Sequence, residues 1–177
     1  AYKKVLISND EAASIWDFTG ELVREEEGRV YYRDDDGEEG LIYDFNLKPG
    51  EQVTVVNSLE PDGLTLTLEE IDSVEVVDGY RKRWKLILDE FAAPEYWIEG
   101  IGSESGVLNS GTGVFLGLCG IYYLLCASDD GNRVYIDPEY QTCYYQLLDD
   151  GNDIENDKSI TVRYLPQNKT ITVTTAS

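Results

Sequence analysis

Histidine and methionine are absent from the 177 residues, and cysteine occurs only three times. Without an imidazole, Ser-His-Asp and Cys-His nucleophilic arrangements are closed to this chain. Three cysteines with no histidine cannot complete a structural zinc site without carboxylate help. Positive charge is scarce: 14 Lys and Arg stand against 35 Asp and Glu, a formal net charge of −21. A surface that negative repels phosphate backbones and anionic lipid, which argues against nucleic-acid and membrane-surface partners. Long apolar runs are missing too. The longest, Val114 to Ala127, is interrupted by Gly117, Gly120, Tyr122 and Tyr123. It falls short of the roughly 20 residues a spanning helix needs, so no transmembrane segment is expected and the run reads as buried strand.

What the chain has instead is period-two alternation, the mark of half-buried strands. Leu64-Thr65-Leu66-Thr67-Leu68 is the cleanest case. Further strands are expected at Lys4–Ser8, Arg29–Arg33, Leu41–Asn46, Gln52–Asn57, Ser73–Val77, Tyr80–Leu88, Tyr96–Glu99, Ile121–Ala127, Arg133–Ile136, Thr142–Leu147, Ser159–Tyr164 and Thr170–Thr174. Gly, Asp and Pro clusters between them supply turn chemistry, and only Asn9–Ser14 has helical character. The expected fold is all-β: a predominantly antiparallel, curved sheet, or a half-open barrel or sandwich, with very little helix. Residues 1–148 form the main domain in this reading. The acidic stretch 149–157 is a linker or exposed turn, and 158–177 a hairpin that ends the domain or begins a tail. If Asp78-Gly79 is a two-residue hairpin loop, Val77 faces Tyr80, Glu75 faces Lys82 and Asp72 faces Lys85.

Motifs that carry chemistry are few. Gly100-Ile101-Gly102-Ser103-Glu104-Ser105-Gly106 misses the dinucleotide-binding spacing by one residue. It also has Glu104 where a nucleophile elbow needs serine, so a bulged or sharply turning strand is expected. Asp34–Glu39 and Asp149–Asp157 have the composition of calcium loops without the ligand spacing, so no metal site is expected. Arg81-Lys82-Arg83-Trp84-Lys85 is split over two strand faces and reads as a neutralised sheet surface. Glu99, between Ile98 and a glycine and two residues from Trp97, is the carboxylate expected to meet an apolar setting that raises its pKa. Thirteen tyrosines and three tryptophans invite comparison with a sugar-stacking platform, with Trp97, Tyr122, Tyr123, Tyr135, Tyr140, Tyr144 and Tyr145 as candidates; packing across strands is the competing role. Cys126 and Cys143 flank the expected Asp129–Asn132 hairpin closely enough to bridge. In an oxidising compartment they pair, Cys119 is left over, and the crosslink contributes ~3 kcal/mol.

Five blocks together resemble a family of uncharacterised secreted or surface-anchored Bacteroidetes proteins: Glu21–Arg33, Leu41–Glu51, Gly79–Leu86, Tyr96–Leu108 and Leu124–Cys143. The resemblance covers roughly residues 20 to 145. It implies an extracytoplasmic setting, agrees with a Cys126–Cys143 bridge, and allows Ser159–Thr174 to be the first strands of a type IX sorting domain. It also makes Asp72-Ser73-Val74 a possible O-glycosylation acceptor, and it carries no catalytic residues or cofactor. Tyr96–Leu108 is further similar, in shape, to the aromatic strand and glycine corner of half-open β-barrel lipoproteins. Three functions stay open. The first is a non-enzymatic secreted or cell-surface protein that binds a glycan, an apolar ligand or another surface protein. The others are a carboxylate-dependent glycan hydrolase and a purely structural accessory domain.

Overall fold

The structure, a computed structural model, describes residues 1–8, 17–57, 59–89, 92–115, 123–129, 132–143, 160–165 and 170–175. These form three sheets. The first five strands are β1 (Lys3–Ser8), β2 (Asp17–Glu26), β3 (Arg29–Arg33), β4 (Glu39–Asp44) and β5 (Gln52–Val55). The next are β6 (Leu64–Val76), β7 (Gly79–Ile87), β8 (Glu95–Ile98) and β9 (Gly102–Ser103). A 3-10 turn at Thr112–Phe115 precedes β10 (Cys126–Asp129), β11 (Asn132–Ile136), β12 (Ile160–Leu165) and β13 (Thr170–Thr175). The protein is all-β and predominantly antiparallel, with one sheet curled strongly into a half-barrel. Among the described residues there is no α-helix; the Asn9–Ser14 turn lies outside them.

One sheet has the order β12-β13-β1-β2-β3-β4, a second β5-β6-β7-β8-β9, and β10-β11 make a separate hairpin. All neighbours are antiparallel except β1 and β13, which run parallel from Lys4↔Thr170 to Ser8↔Thr174. The first two sheets are joined where Val56 N–H donates to Leu41 C=O at 2.8 Å. The core lies between them. Alternation does what it should: Val53, Val55, Leu66, Leu68, Trp84 and Leu86 are buried while their strand neighbours face outward. Each such side chain contributes ~1.5–3 kcal/mol of burial. Four aromatic rings lock the centre, Tyr43 and Phe45 standing edge-on to Trp97 and Trp84 at 5.2 and 5.0 Å.

Three expectations need correction. β2 is a full ten-residue strand that the alternation pattern did not reveal. Leu64–Leu68 and Ser73–Val77, expected as separate strands, are one 13-residue β6, carried through a bulge between Leu68 and Glu70. The β6–β7 hairpin is shifted by two residues. Its turn is Val77-Asp78, Val76 pairs with Gly79, Glu75 faces Tyr80 and Asp72 faces Arg83. Gly79 has φ 131° and takes the first paired position instead of sitting in the loop. Because a two-residue shift preserves the faces, the basic run is still neutralised, with different partners. Arg83 chelates Asp72 at 2.7 and 3.0 Å, Lys85 pairs with Glu69 at 2.6 Å, and Arg81 with Asp78 at 2.8 Å.

Candidate functional site

A cavity of about 310 Å³ opens where the second sheet meets the β10–β11 hairpin. Val74, Glu75 and Arg83 of β6 and β7 form one wall, with Glu95 and Tyr96 at the start of β8. Glu104 and Ser105, after the β9 corner, and Thr112 and Gly113, in the 3-10 turn, continue it. Tyr123, Tyr135 and the Asp137-Pro138-Glu139 turn close the far side. Three backbone bonds hold that far side in place: Leu124 N–H to Glu104 C=O at 2.7 Å, Asp137 N–H to Leu125 C=O at 2.8 Å, and Val77 N–H to Val134 C=O at 3.1 Å.

The glycine-rich segment makes the near wall possible. Gly100 and Gly102 have φ of 69° and 110°, values a side chain rarely adopts. They turn the chain from β8 into β9, so that Ser103 lands beside Trp97 and Glu95. Tyr43 pins the corner from the first sheet: its hydroxyl accepts from Ser103 N–H at 3.0 Å and donates to Val107 C=O at 2.7 Å.

Glu95 is 1% exposed, and both oxygens of its carboxylate are hydrogen-bonded. Oε1 accepts from Trp97 Nε1 at 3.1 Å and from Ser103 Oγ at 2.5 Å, and Oε2 accepts from Gly113 N–H at 2.9 Å. Burial pushes its pKa up to about 7 against these bonds, which favour the charge. Glu104 is also raised, by burial, then by Asp137 and Asp72, with Arg83 at 3.3 Å acting the other way. Asp137 Oδ1 caps its own turn, accepting from Glu139 and Tyr140 N–H at 2.8 and 3.1 Å. Tyr135 is 4% exposed, and its hydroxyl is raised by burial and by the charges of Glu104 and Asp137. That hydroxyl makes no hydrogen bond among the described residues. Tyr96 carries the Arg83 guanidinium over its face at 4.5 Å, and Tyr123 packs against Tyr140 at 5.5 Å between centroids.

The residues expected from sequence fall unevenly. Trp97 is fully buried, a core ring and not a surface platform, because period two places it on the same face as Trp84, directly opposite across β7–β8. Glu99 lies outside the apolar setting expected for it: β8 ends at Ile98, Glu99 is exposed beside exposed Lys82, and the carboxylate buried beside Trp97 is Glu95. Tyr123 is on the cavity wall, 40% exposed. Tyr122, Tyr144 and Tyr145 lie outside the described residues. Cys126 and Cys143 are bonded, with Cα atoms 5.1 Å apart. Glu95, Glu104, Asp137, Tyr96 and Arg83 join the site without a motif that marks them in the sequence; the one available signal is Glu95 standing two residues before a strand tryptophan. Among the described residues no group of three or more Cys, Asp and Glu is disposed to hold a metal ion, and no helix is long and apolar enough to cross a membrane. No family model, curated protein or solved structure matches the chain.

Proposed function

We propose that this protein is a non-enzymatic binding protein of the cell exterior, and that the cavity beside β8 holds a small saccharide. The observation that carries the reading is the lining. Three tyrosines, Tyr96, Tyr123 and Tyr135, share a 310 Å³ cavity with Glu104 and Asp137. Rings supply faces for pyranose carbons and carboxylates supply acceptors for hydroxyls, and the volume is at the lower end of the ~300–1,000 Å³ usual for small-ligand sites. The disulfide supports the exterior setting.

Glu95 favours a second reading, carboxylate-dependent hydrolysis, since a buried acid with a pKa of about 7 is suited to protonating a leaving group. Its hydrogen bonds weigh against that. Both oxygens are engaged by Trp97, Ser103 and Gly113, an arrangement that fastens three segments together and leaves the residue only 1% exposed. Titration calorimetry with mono- and disaccharides, run beside a hydrolysis screen on aryl glycosides, separates the readings. Saccharide binding that weakens about tenfold in Tyr123→Ala, without turnover, is expected. Turnover abolished by Glu95→Gln would establish the hydrolase, and silence in both assays would leave a structural domain.

A further inference from the structure

We infer that the cavity selects ligands carrying a protonated amine, an inference that rests on the cavity being a binding site. Its charged groups are nearly all carboxylates. Glu75, Glu95, Glu104, Asp137 and Glu139 line it, and Arg83 is the cation among them. That guanidinium is already committed. Nε and Nη2 chelate Asp72 at 3.0 and 2.7 Å, and Nη1 reaches Glu104 at 3.3 Å, so two carboxylates share one positive charge. The Asp72–Arg83–Glu104 group therefore carries a net negative charge before Asp137 is added.

Three acceptors remain open around the excess charge. Glu104 uses Oε1 for Arg83 and Asp137 uses Oδ1 for its turn, leaving Oε2 and Oδ2 without a hydrogen bond among the described residues. Tyr135, 4% exposed, presents a hydroxyl that makes no hydrogen bond among the described residues and feels both carboxylates. An ammonium group has three donors and no acceptor, the complement of such a set. A neutral hydroxyl group would fill the same space and leave two partly dehydrated carboxylates facing each other. Tyr96, on the same wall, carries the Arg83 guanidinium over its face at 4.5 Å.

Amino sugars and linear polyamines share the chemistry, and calorimetry at about 0.15 M salt, where nonspecific attraction to the acidic surface is largely screened, distinguishes them. The probes are glucosamine, N-acetylglucosamine, glucose and putrescine. Glucosamine is expected to bind at least about tenfold tighter than glucose or N-acetylglucosamine, which lack the charge. The Glu104→Gln and Asp137→Asn double variant should abolish that preference, and Tyr135→Phe should weaken glucosamine about three- to tenfold. Asparagine keeps the Oδ1 that caps the 137–140 turn, and thermal melting confirms that the variants are folded. Equal binding of glucose and glucosamine overturns the amine inference and leaves the saccharide reading standing. Binding of putrescine but of no sugar supports the amine inference and removes the saccharide reading. A preference that survives the folded double variant places the amine elsewhere on the acidic surface and overturns the inference, as does failure of every amine to bind.

Discussion

At the scale of single residues, Glu95 and Glu99 show what period two can and cannot tell. Both stand two positions from Trp97, so a continuing strand would place all three on one face. The strand stops at Ile98; Glu99, its N–H still bonded to Lys82 C=O at 2.9 Å, lies exposed beside exposed Lys82 where that face leaves the core, while Glu95 stays with the buried tryptophan. Alternation fixes faces; where a strand ends depends on tertiary pairing, and here β9 pairs with β8 only at Trp97 and Ile98. A pH dependence follows from Glu95. Its folded pKa, about 7, lies above the ordinary 4.5, so its stabilising contribution is full below about pH 4.5 and is lost as pH rises to 7. The unfolded chain binds fewer protons in that window, which gives stability a negative slope with pH. Glu95→Gln removes the slope but sets an amide N–H₂ against the Gly113 N–H, costing ~1–3 kcal/mol. Urea midpoints taken from pH 4.5 to 8 should show the wild-type advantage over the variant shrinking by roughly 3 kcal/mol across the window. A constant difference would mean that Glu95 stays charged throughout.

At the scale of elements, the hairpins divide by what their turns demand. Asp78-Gly79 looks like a type I′ loop in sequence, yet the turn is Val77-Asp78, and Gly79 supplies positive φ one step later. The true type I′ turn is Glu27-Gly28, with φ of 50° and 77° between the paired residues Glu26 and Arg29. Its signal in the sequence is weak because glutamate is a poor first residue for that turn and because β2 is crowded with charge. Those charges are nevertheless placed by strand pairing. Arg24 lies over Tyr31, its cross-strand partner, at 4.0 Å, and binds Glu39 at 2.7 and 2.8 Å, holding the Glu39 carboxyl down to about 2. Opposite-face Val23 meets buried Tyr32. A strand with one aromatic-cation face and one core face carries weak alternation while pairing well. Glu27 is exposed, and Asn46 contacts the residue through its backbone carbonyl at 2.8 Å, so the side chain is free to change. Glu27→Asn should raise stability by ~0.5–1 kcal/mol, read as a higher urea midpoint at unchanged slope, because asparagine adopts positive φ with less strain. A lower midpoint would show that this turn does not have the assigned backbone.

At the scale of the whole molecule, local pattern names strands and leaves their partners undecided. Parallel pairing of β1 with β13 joins residues 4–8 to residues 170–174, a contact that no neighbouring motif announces. The cavity is equally non-local, drawing on β6 and β11 and on turns as far apart as Glu75 and Glu139. One long-range link was legible, because cysteine chemistry leaves few choices. The Cys126–Cys143 bridge ties β10 to the end of the segment that carries Asp137, Pro138 and Glu139. Backbone bonds of that segment are few: Asp137 N–H to Leu125 C=O at 2.8 Å and Gln141 N–H to Asp137 C=O at 2.9 Å, with Gln141 at φ 52°. The crosslink therefore has two separable effects. Closing a loop of 17 residues restricts the unfolded chain and contributes ~3 kcal/mol, whatever the cavity does. Holding the 137–143 segment against β10 also keeps Asp137 facing Glu104 and Tyr135, which bears on ligand binding alone. The Cys126→Ser and Cys143→Ser double variant should lose about that stability in urea. Studied well below its melting temperature, where it remains folded, it should also bind glucosamine about tenfold more weakly. Unchanged affinity in the folded variant would confine the disulfide to stabilising the fold and would show that the wall is held by its backbone bonds.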